Sequence, residues 1–484
     1  MGAVAAAVNK MGKDAAFTVS LMLKQLNHRG EDLHGVATPH STRILDSIDP
    51  GAVKDMSSDV ALGHNLHRIF PEDRPQPVLG QGFTLAFEGR LFPPAAESDI
   101  DVVVETLGSE PQKNAASLIT RLNGSYAFAI ASRDRIIAGR DTMGASPLYY
   151  GEDETISAIA SERKALWEIG IEDTKSFPPG NVALMSTDGF TFQPIKTITQ
   201  PLLNATDMKT AANRLQTLLQ KSVRERLSGI KKAAVAFSGG IDSCLVATLA
   251  KTCGVELELI AVGLKGQREL HHAKAAATTL ELPLHIQTYT QDDVDHALPK
   301  ALWLIEEPDM TKAGIAIPLF WTAEMASKLG LPILLAGQGA DELFGGYQRY
   351  LKDYSNGEEA LRNSIYRDVV ACYENNFQRD NQACSFHKVE LRLPFADIDV
   401  VDFSLALPAR LKIQSARDSL RKRVLRLVAQ NLGMPQFIFN RGKKAIQYAT
   451  GVNKALKRLA RKDSLALREY VRRVFREVYP ERSS

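Results

Sequence analysis

Apolar runs and helical patterns alternate from residue 233 to residue 336, and this alternation restricts the fold of the chain more than any other feature. Strands are predicted at 233–237, 257–264, 284–290 and 332–336. Helices are predicted between them, around 241–252, 267–280, 293–305 and 319–329. Strand–helix alternation at this spacing predicts an α/β domain with a doubly wound parallel sheet. After Tyr347 the pattern becomes helical.

The first 195 or so residues have a different pattern, with short apolar runs between Gly, Pro and Asp turns. Helical patterns near 14–27 and 112–122 interrupt them, so we predict an α+β domain with helices packed on sheets. The segment TITQPLLNATD (197–207) is polar and contains a proline, and Thr206 or Asp207 can cap the next helix. The predicted domains are residues 1–196 and 207–452, followed by a basic helical tail at 453–484.

Composition limits location and partners. Of 484 residues, 44% are apolar and 24% are charged, as in a soluble globular protein. No apolar run reaches the ~18 residues that cross a bilayer, the N-terminus lacks a signal-peptide pattern, and the four cysteines form no CxxC pair. A cytoplasmic location is expected. The tail from Lys454 to Arg482 has ten Lys/Arg and four Asp/Glu. A solvated helix face is the favoured interpretation, and contact with nucleic acid or with an anionic partner surface stays open.

A glycine turn follows the first strand of the alternating region. In VAFSGGIDSCLVATLAK (235–251), Ser238, Gly239 and Gly240 stand where a strand ends and a helix begins. Consecutive glycines let backbone N–H groups converge on an anion, and the helix dipole favours negative charge there. Asp242 would repel a phosphate unless it holds a bridging Mg²⁺. These residues alone leave a phosphate site and a simple glycine turn equally open.

A second loop repeats this design. LLAGQGADELFGGYQRY (334–350) leaves the strand predicted at 332–336 and carries Asp341 close to its end. Two carboxylates at neighbouring strand ends repel each other unless a cation lies between them. Asp242 and Asp341 together therefore favour a metal site over two solvent-exposed acids.

A third segment is basic. FNRGKKAIQYATG (439–451) places Arg441, Lys443 and Lys444 between apolar flanks. Long cations beside a phosphate can neutralise charge that builds during transfer. A solvent-exposed basic cluster would have the same sequence. This segment therefore indicates a phosphate site only in combination with the two loops described above.

Together these segments resemble the asparagine synthetase family, which also includes β-lactam synthetase. SGGIDS looks like the family's pyrophosphate loop, and GQGADELFGGY is similar to its second signature. Further matching segments are VELRLPFADIDVV (389–401), RKRVLR (421–426), LNHRGEDLHG (26–35), LNGSYAFAI (122–130), GRDTMGASPLYY (139–150), ASERKAL (160–166) and FPPG (177–180). The resemblance covers roughly residues 1–452. It implies a class II glutamine-amidotransferase-like domain, with the sandwich fold of N-terminal nucleophile enzymes, followed by an ATP-pyrophosphatase domain.

The resemblance implies an ATP-dependent, AMP-forming amide ligase. ATP adenylates a side-chain carboxylate, aspartate being the expected acid, and an amine then attacks the acyl-AMP. ATP and Mg²⁺ are the implied cofactors, with Asp242 and Asp341 as metal ligands and Lys443 beside the α-phosphate. The implied contacts to ATP and pyrophosphate are Phe237, Ser238, Gly239, Gly240, Ile241, Asp242, Ser243, Val262, Ala336, Gly337 and Lys422.

The first domain departs from the family at its nucleophile. The family begins Met-Cys and uses that cysteine to hydrolyse glutamine. This chain begins Met1-Gly2-Ala3, and its first cysteine is Cys244. Without a thiol or hydroxyl at position 2 we expect no glutaminase activity and ammonia as the amine donor. The alternative is a cysteine that was replaced or trimmed.

The family's glutamine-binding residues are also incomplete. Leu66 stands where the family has an arginine, and Glu88-Gly89-Arg90 stands in place of Asn-Gly-Glu. Only Gly89 and Asp99 keep their places. A vestigial glutamine site at Glu88, Gly89 and Asp99 is expected, and the loss of several partners argues against a trimmed cysteine as the whole explanation.

The second domain departs at Gln338, where bacterial asparagine synthetases carry glutamate. Glutamine cannot act as a base. Either another group, such as Glu306 or Glu307, helps to deprotonate the amine, or the acid substrate is not aspartate. Those two glutamates could equally form a solvated helix end. The catalytic candidates are Lys443, Gln338 and Glu306.

Three other functions stay open. The same chemistry could act on another carboxylate, as in β-lactam synthetase, or the chain could be a non-catalytic nucleotide-binding paralogue. The third is a tRNA-modifying pyrophosphatase, which would use the basic tail, although this chain has no thiolation cysteine pair or RNA-binding module that supports it. The expected partners are small-molecule substrates, with neither membrane nor nucleic acid, and a homodimer is left open.

Overall fold

The computed structural model describes residues 1–94, 98–442 and 444–480. The chain forms two compact units, the first unit (Met1–Ile198) and the second unit (Thr199–Ser484). No helix in the described ranges is both long and apolar enough to span a bilayer.

The first unit contains two antiparallel sheets. Its strands are β1 (Gly2–Asn9), β2 (Leu33–Ala37), β3 (Thr42–Leu45), β4 (Val60–Leu66), β5 (Val78–Leu79), β6 (Thr84–Leu91), β7 (Gly124–Ser132), β8 (Arg135–Arg140), β9 (Tyr149–Glu152), β10 (Ile156–Ala160), β11 (Lys175–Ser176), β12 (Asn181–Ser186) and β13 (Gly189–Pro194). Its helices are α1 (Ala15–Gln25), α2 (Asp99–Leu107), α3 (Pro111–Arg121) and α4 (Arg163–Glu168). Among the described residues, one sheet has the order β11-β9-β10-β1-β4-β2-β3 and the other β13-β12-β8-β7-β6-β5.

Each sheet packs against other elements on both of its faces, and the side chains of a strand alternate between these two faces. In β1, Ala5 packs with Leu23 of α1, whereas Val4 faces the second sheet and packs with Ala129 of β7. On the far side of that second sheet, Phe128 packs with α2 and α3. The result is a helix–sheet–sheet–helix sandwich, and the predicted fold of this domain is confirmed.

The second unit contains one parallel sheet and many helices. Its strands are β14 (Lys232–Ala236), β15 (Glu256–Leu264), β16 (Leu284–Tyr289), β17 (Ile333–Leu335) and β18 (Glu390–Arg392). Its helices are α5 (Met208–Leu227), α6 (Ile241–Lys251), α7 (Arg268–Leu280), α8 (Gln291–Ile305), α9 (Met310–Lys328), α10 (Ala340–Phe344), α11 (Arg349–Ser355), α12 (Glu358–Val370), α13 (Gln378–Ser385), α14 (Ile398–Leu405), α15 (Arg423–Asn431), α16 (Gln436–Phe439), α17 (Ile446–Ala449), α18 (Val452–Lys462) and α19 (Leu467–Val478). The predicted doubly wound α/β fold is confirmed.

The strand order of this sheet creates a crevice. Within the described residues the order is β16-β15-β14-β17-β18, and every neighbouring pair is parallel. The chain leaves β14 toward β15 on one side, whereas β17 lies on the other side. The gap between the carboxyl ends of β14 and β17 is therefore a topological switch point, where open α/β sheets bind their ligands.

Helices at the two ends of the second unit complete its packing. At the start of α5, the Asp207 carboxylate accepts hydrogen bonds from the N–H groups of Lys209 and Thr210, so Asp207 is the cap. The basic segment after Gly451 forms α18 and α19, whose apolar faces pack with α8 and α9; Leu456 and Val471 belong to this core. The tail thus belongs to the second unit, with its basic side chains turned outward.

Candidate active site

Two carboxylates meet at the switch point on one ammonium group. Asp242 lies in the first turn of α6, after β14, and Asp341 lies in the first turn of α10, after β17. The Lys422 Nζ lies 2.8 and 2.7 Å from Asp242 Oδ1 and Oδ2, and 2.6 Å from Asp341 Oδ1. The sequence predicts that a cation must separate these two acids, and in this structure the cation is a lysine that comes from 180 residues away.

Asp242, Asp341 and Lys422 form a charged triad, and two glycines make room for it. A Cβ on Gly337 would lie 2.9 Å from the Asp242 Cβ. A Cβ on Gly346 would lie 1.9 Å from Asp341 Oδ1 and 2.4 Å from Lys422 Cε. All three distances are shorter than van der Waals separation, so a side chain at either position would displace a member of the triad.

The glycine turn after β14 is ordered by its own hydroxyl groups. The Ser243 Oγ lies 3.2 Å from the Ser238 Oγ and donates to the Gly240 carbonyl at 3.1 Å. Gly239 has φ +70°, which favours glycine, and His272 Nε2 donates to its carbonyl oxygen at 2.9 Å. Helix α6 has no side-chain cap, so its first-turn N–H groups can bind an anion.

A cavity of about 630 Å³ opens beside the triad, within the size range of small-molecule sites. Predicted residues that line it are Phe237, Ser238, Asp242, Ser243, Val262, Ala336, Gly337, Gln338 and Asp341. A neighbouring cavity of about 70 Å³ is lined by Gly240, Ile241 and Lys422, together with Arg426, Arg441 and Lys444. The structure thus brings most of the predicted nucleotide residues together, and the smaller cavity is rich in cations.

Two predicted residues, Glu306 and Gly239, have other positions. Glu306 is buried at the C-terminal end of α8, where Gln382 Nε2 donates to its carboxylate at 3.3 Å, and it does not line the large cavity. Gly239 is part of the turn but does not line either cavity. Lys443 lies outside the described residues. Their assigned roles stay predictions.

The end of the cavity beyond Gln338 carries charged residues that the sequence did not indicate. Glu342 is buried and accepts hydrogen bonds from Tyr347 Oη at 2.5 Å and Asn376 Nδ2 at 2.7 Å. Arg379 and Asp380 are buried side by side, with Nε and Oδ1 2.7 Å apart. Burial raises the pKa of Asp380, although Arg379 opposes this. Both signs of charge are therefore available to a polar substrate.

A π-helical turn over Tyr373–Phe377 brings part of this cluster into the cavity. Such turns are rare and frequently found at functional sites. The unusual run of polar residues in ENNFQRDNQ (374–382), within a helical pattern, is the sequence signal that could have revealed it.

Glu269 holds the basic segment at the other side of the cavity. Its Oε1 lies 2.6 Å from Lys444 Nζ and 3.6 Å from an Arg441 guanidinium nitrogen. Burial alone would raise the pKa of Glu269, but Lys444, a backbone N–H group and Arg441 together lower it below its ordinary value. Glu269 thus holds these cations beside the glycine turn.

The first unit has a small, filled pocket at the predicted glutamine site. Its volume is about 20 Å³, and Glu88, Gly89 and Asp99 are among its lining residues. Arg90 occupies this region: its NH1 lies 2.9 Å from Asp73 Oδ1 and 3.5 Å from Asp99 Oδ2. Asp99 is therefore engaged by a neighbouring side chain.

Glu88 is part of a buried charged group. Its carboxylate lies 3.5 Å from His64 Nε2 and 3.8 Å from an Arg29 guanidinium nitrogen. Burial alone would raise the pKa of Glu88, but the interactions with His64 and Arg29 contribute to lowering it to about 2. Glu88 is thus an ionised acceptor, whereas the family's asparagine supplies a hydrogen-bond donor.

Comparison with known proteins identifies the family. The asparagine synthase family model matches residues 214–362 and 351–483, more than half of the chain. The chain belongs to the asparagine synthase family. A glutamine amidotransferase domain model matches residues 74–168 in the first unit. The resemblance drawn from the motifs is confirmed.

Relatives of the asparagine synthase family align over most of the chain. A Methanocaldococcus jannaschii protein named "Putative asparagine synthetase (glutamine-hydrolyzing) 1" is 29% identical, over 91% of this chain and 92% of its own. The glutamine-hydrolyzing asparagine synthetase of Triphysaria versicolor is 29% identical, over 89% of this chain and 74% of its own. Escherichia coli asparagine synthetase B is 28% identical, over 68% of this chain and 61% of its own.

Membership of the asparagine synthase family confirms the predicted enzyme class. The chain is an ATP-dependent ligase that forms an amide and releases AMP and pyrophosphate. The cavity at the switch point is large enough for such chemistry, whereas the pocket in the first unit is smaller than one amino-acid side chain.

We expect that a cysteine at position 2 will not restore glutamine hydrolysis. A Cβ on Gly2 would lie 1.8 Å from the Asn65 carbonyl oxygen, and Arg90 would still occupy the glutamine pocket. The Gly2→Cys variant should therefore release no more glutamate from glutamine than the unchanged chain. A coupled glutamate assay measures this, with Escherichia coli asparagine synthetase B as the positive control. Steady glutamate release by either form would contradict the account of the first unit.

Proposed function

We propose that this chain makes asparagine from aspartate, ATP and ammonia. The relatives named above are called asparagine synthetases, and one observation carries the proposal into this chain. Three carboxylate oxygens of Asp242 and Asp341 lie within 2.8 Å of one cation, beside a glycine turn and a cavity of about 630 Å³. This arrangement suits a nucleotide triphosphate and a small acid bound side by side.

The phosphates bind at the glycine turn. First-turn N–H groups of α6 and the hydroxyls of Ser238 and Ser243 hold the pyrophosphate. Phe237 and Val262 line the part of the cavity that receives the adenosine. The cations of the smaller cavity, among them Arg426 and Lys444, balance the charge of the departing pyrophosphate.

Asp242 and Asp341 would hold Mg²⁺. The donor set fits this ion, because Mg²⁺ is usually bound by one or two carboxylates and substrate phosphates. When bound, it would neutralise phosphate charge and make the α-phosphorus easier to attack.

The reaction has two steps. First, a side-chain carboxylate oxygen of aspartate attacks the α-phosphorus, and pyrophosphate leaves from the same phosphorus. Second, ammonia attacks the acyl carbon, loses a proton, and AMP leaves with the former carboxylate oxygen. Lys443, at its predicted position, would stabilise the charge on the α-phosphate.

The acid binds at the charged end of the cavity. Arg349, Arg379 and Lys312 line the cavity and can attract carboxylates, while Glu342 and Asp380 can attract an α-ammonium group. Gln338 has no titratable group, and water in the cavity accepts the proton of the attacking amine. Glu306 stays a candidate acceptor, although it does not line the cavity.

Ammonia is the amine donor because the first unit cannot supply one. Its residues include no cysteine, and Arg90 with its acidic partners fills the glutamine pocket. A cytoplasmic location and the lack of a nucleic-acid partner are the accompanying predictions, and a homodimer stays open.

A different carboxylate is the second candidate substrate, and Gln338 is the observation that favours it. A neutral amide at this position interacts with the reacting carboxylate differently from the glutamate of bacterial asparagine synthetases. A substrate that carries its own amine would make the closure intramolecular, as in β-lactam formation.

A screen of acids separates these two candidates. With ATP, Mg²⁺ and ammonia, aspartate should give AMP release at least about 10-fold above that with glutamate, β-alanine derivatives or no acid. Asparagine should form in equal amount. AMP release with another acid only would support the second candidate. ATP binding without AMP release for any acid would contradict both.

A further inference from the structure

Lys422 holds a position that most lysines avoid. Its side chain is 2% exposed, and its Nζ contacts both oxygens of Asp242 and one oxygen of Asp341. Burying a cation is costly unless it is paired and hydrogen-bonded. Here two carboxylates face one ammonium group, so the triad keeps one net negative charge.

The backbone keeps the lysine in this position. Arg421 and Lys422 both have φ of 52°, in the left-handed region that non-glycine residues avoid. The Asp418 carboxylate fixes this turn by accepting from the Arg421 N–H at 2.9 Å, and Arg421 Nε donates to the Gly346 carbonyl at 3.0 Å. A strained turn held by these bonds, with Gly346 leaving space for Cε, indicates that the ammonium position is built into the fold.

We propose that Lys422 is the counter-ion of the nucleotide-free enzyme and prevents Mg²⁺ from binding before ATP. This inference rests on the proposed function, because it takes Asp242 and Asp341 as the magnesium ligands. Without nucleotide, the ammonium satisfies both carboxylates, and a divalent cation placed between them would meet a fixed positive charge. ATP adds several negative charges, so that the ammonium and the metal can both be accommodated.

The first test titrates the nucleotide-free protein with Mg²⁺ alone. For the unchanged chain, titration calorimetry should detect no Mg²⁺ binding up to about 10 mM. The melting temperature should also stay constant, because a ligand that binds the folded state would raise it. Binding in the low-millimolar range or tighter, without nucleotide, would overturn the proposal, whether or not the enzyme makes asparagine.

The second test removes the ammonium. Lys422→Met and Lys422→Gln should each bind Mg²⁺ at least about 10-fold more tightly than the unchanged chain, and Lys422→Arg, which keeps the charge, should not. Adding Asp341→Asn to Lys422→Met should abolish the gain.

If the Met and Gln variants fold and bind no better than the unchanged chain, the proposal fails. If neither folds, the titration of the unchanged chain decides. Loss of asparagine formation with this metal behaviour intact would refute only the proposed function.

Discussion

Asp242→Asn and Asp341→Asn should each reduce ATP–pyrophosphate exchange by about 10²- to 10³-fold, the loss expected when a group that stabilises phosphate charge is removed. Asparagine has nearly the shape of aspartate, so the triad would keep its packing. Lys422 would retain one carboxylate partner in either variant, at 2.6 Å or 2.7 Å from its Nζ. The defect should therefore appear in catalysis with the protein still folded. Exchange assays at saturating ATP and aspartate, beside circular dichroism, measure both.

Asp399→Asn is the matched control for these variants. Asp399 is a half-exposed carboxylate of the second unit whose Oδ2 lies 2.7 Å from Lys221 Nζ. Its replacement also removes one carboxylate charge from an ion pair, but it should leave exchange within about 2-fold of normal. If either site variant keeps more than about a tenth of the activity, Asp242 and Asp341 do not bind the metal together.

Gly346→Ala should reduce exchange by about 10²-fold and lower stability by about 1–3 kcal/mol. The added methyl group would lie 1.9 Å from Asp341 Oδ1 and 2.4 Å from Lys422 Cε, and both groups belong to the triad. The backbone of Gly346 has an ordinary φ, so the effect is steric. Hydrogen bonds hold the strained turn that carries Lys422. We therefore expect the added methyl group to displace the Asp341 side chain and not the lysine. Urea unfolding and exchange kinetics on the same preparation measure both effects.

Gly314→Ala is the control for this change. Gly314 lies within α9, and its added Cβ would make ordinary contacts of 3.5 Å with Gln447 Cβ and 3.9 Å with Leu456 Cδ1. Alanine favours helix more than glycine does, so this variant should be as stable as the unchanged chain or more so. Equal activity in both glycine variants would show that the triad tolerates displacement and would contradict its proposed role.

Much of the second unit follows from local pattern. The four predicted strands lie within one residue or so of β14, β15, β16 and β17, because each is a short segment rich in apolar residues between two helical patterns. Strand β18 was missed. It has three residues, Glu390–Arg392, and two of them are charged, so its strand conformation depends on pairing with β17 rather than on its own sequence.

The site residues likewise divide into those that local sequence pattern predicts and those that depend on contacts distant in sequence. Asp242 and Asp341 could be predicted because each follows a strand, and carboxyl ends of parallel strands share one edge of the sheet. The role of Lys422 as their shared partner could not, because the contact joins residues 180 positions apart. In the first unit the sequence revealed the missing asparagine at Glu88. It did not reveal that Arg90 reaches Asp73 and Asp99 and fills the space.

The central claim is that a carboxylate oxygen of aspartate attacks the α-phosphorus of ATP at this triad. Aspartate labelled with ¹⁸O in its side-chain carboxylate, incubated with the enzyme, ATP, Mg²⁺ and ammonia, tests it by mass spectrometry of the products. We predict one ¹⁸O atom in AMP for each asparagine formed, and none in pyrophosphate. Label in inorganic phosphate, or AMP without label, would contradict the claim.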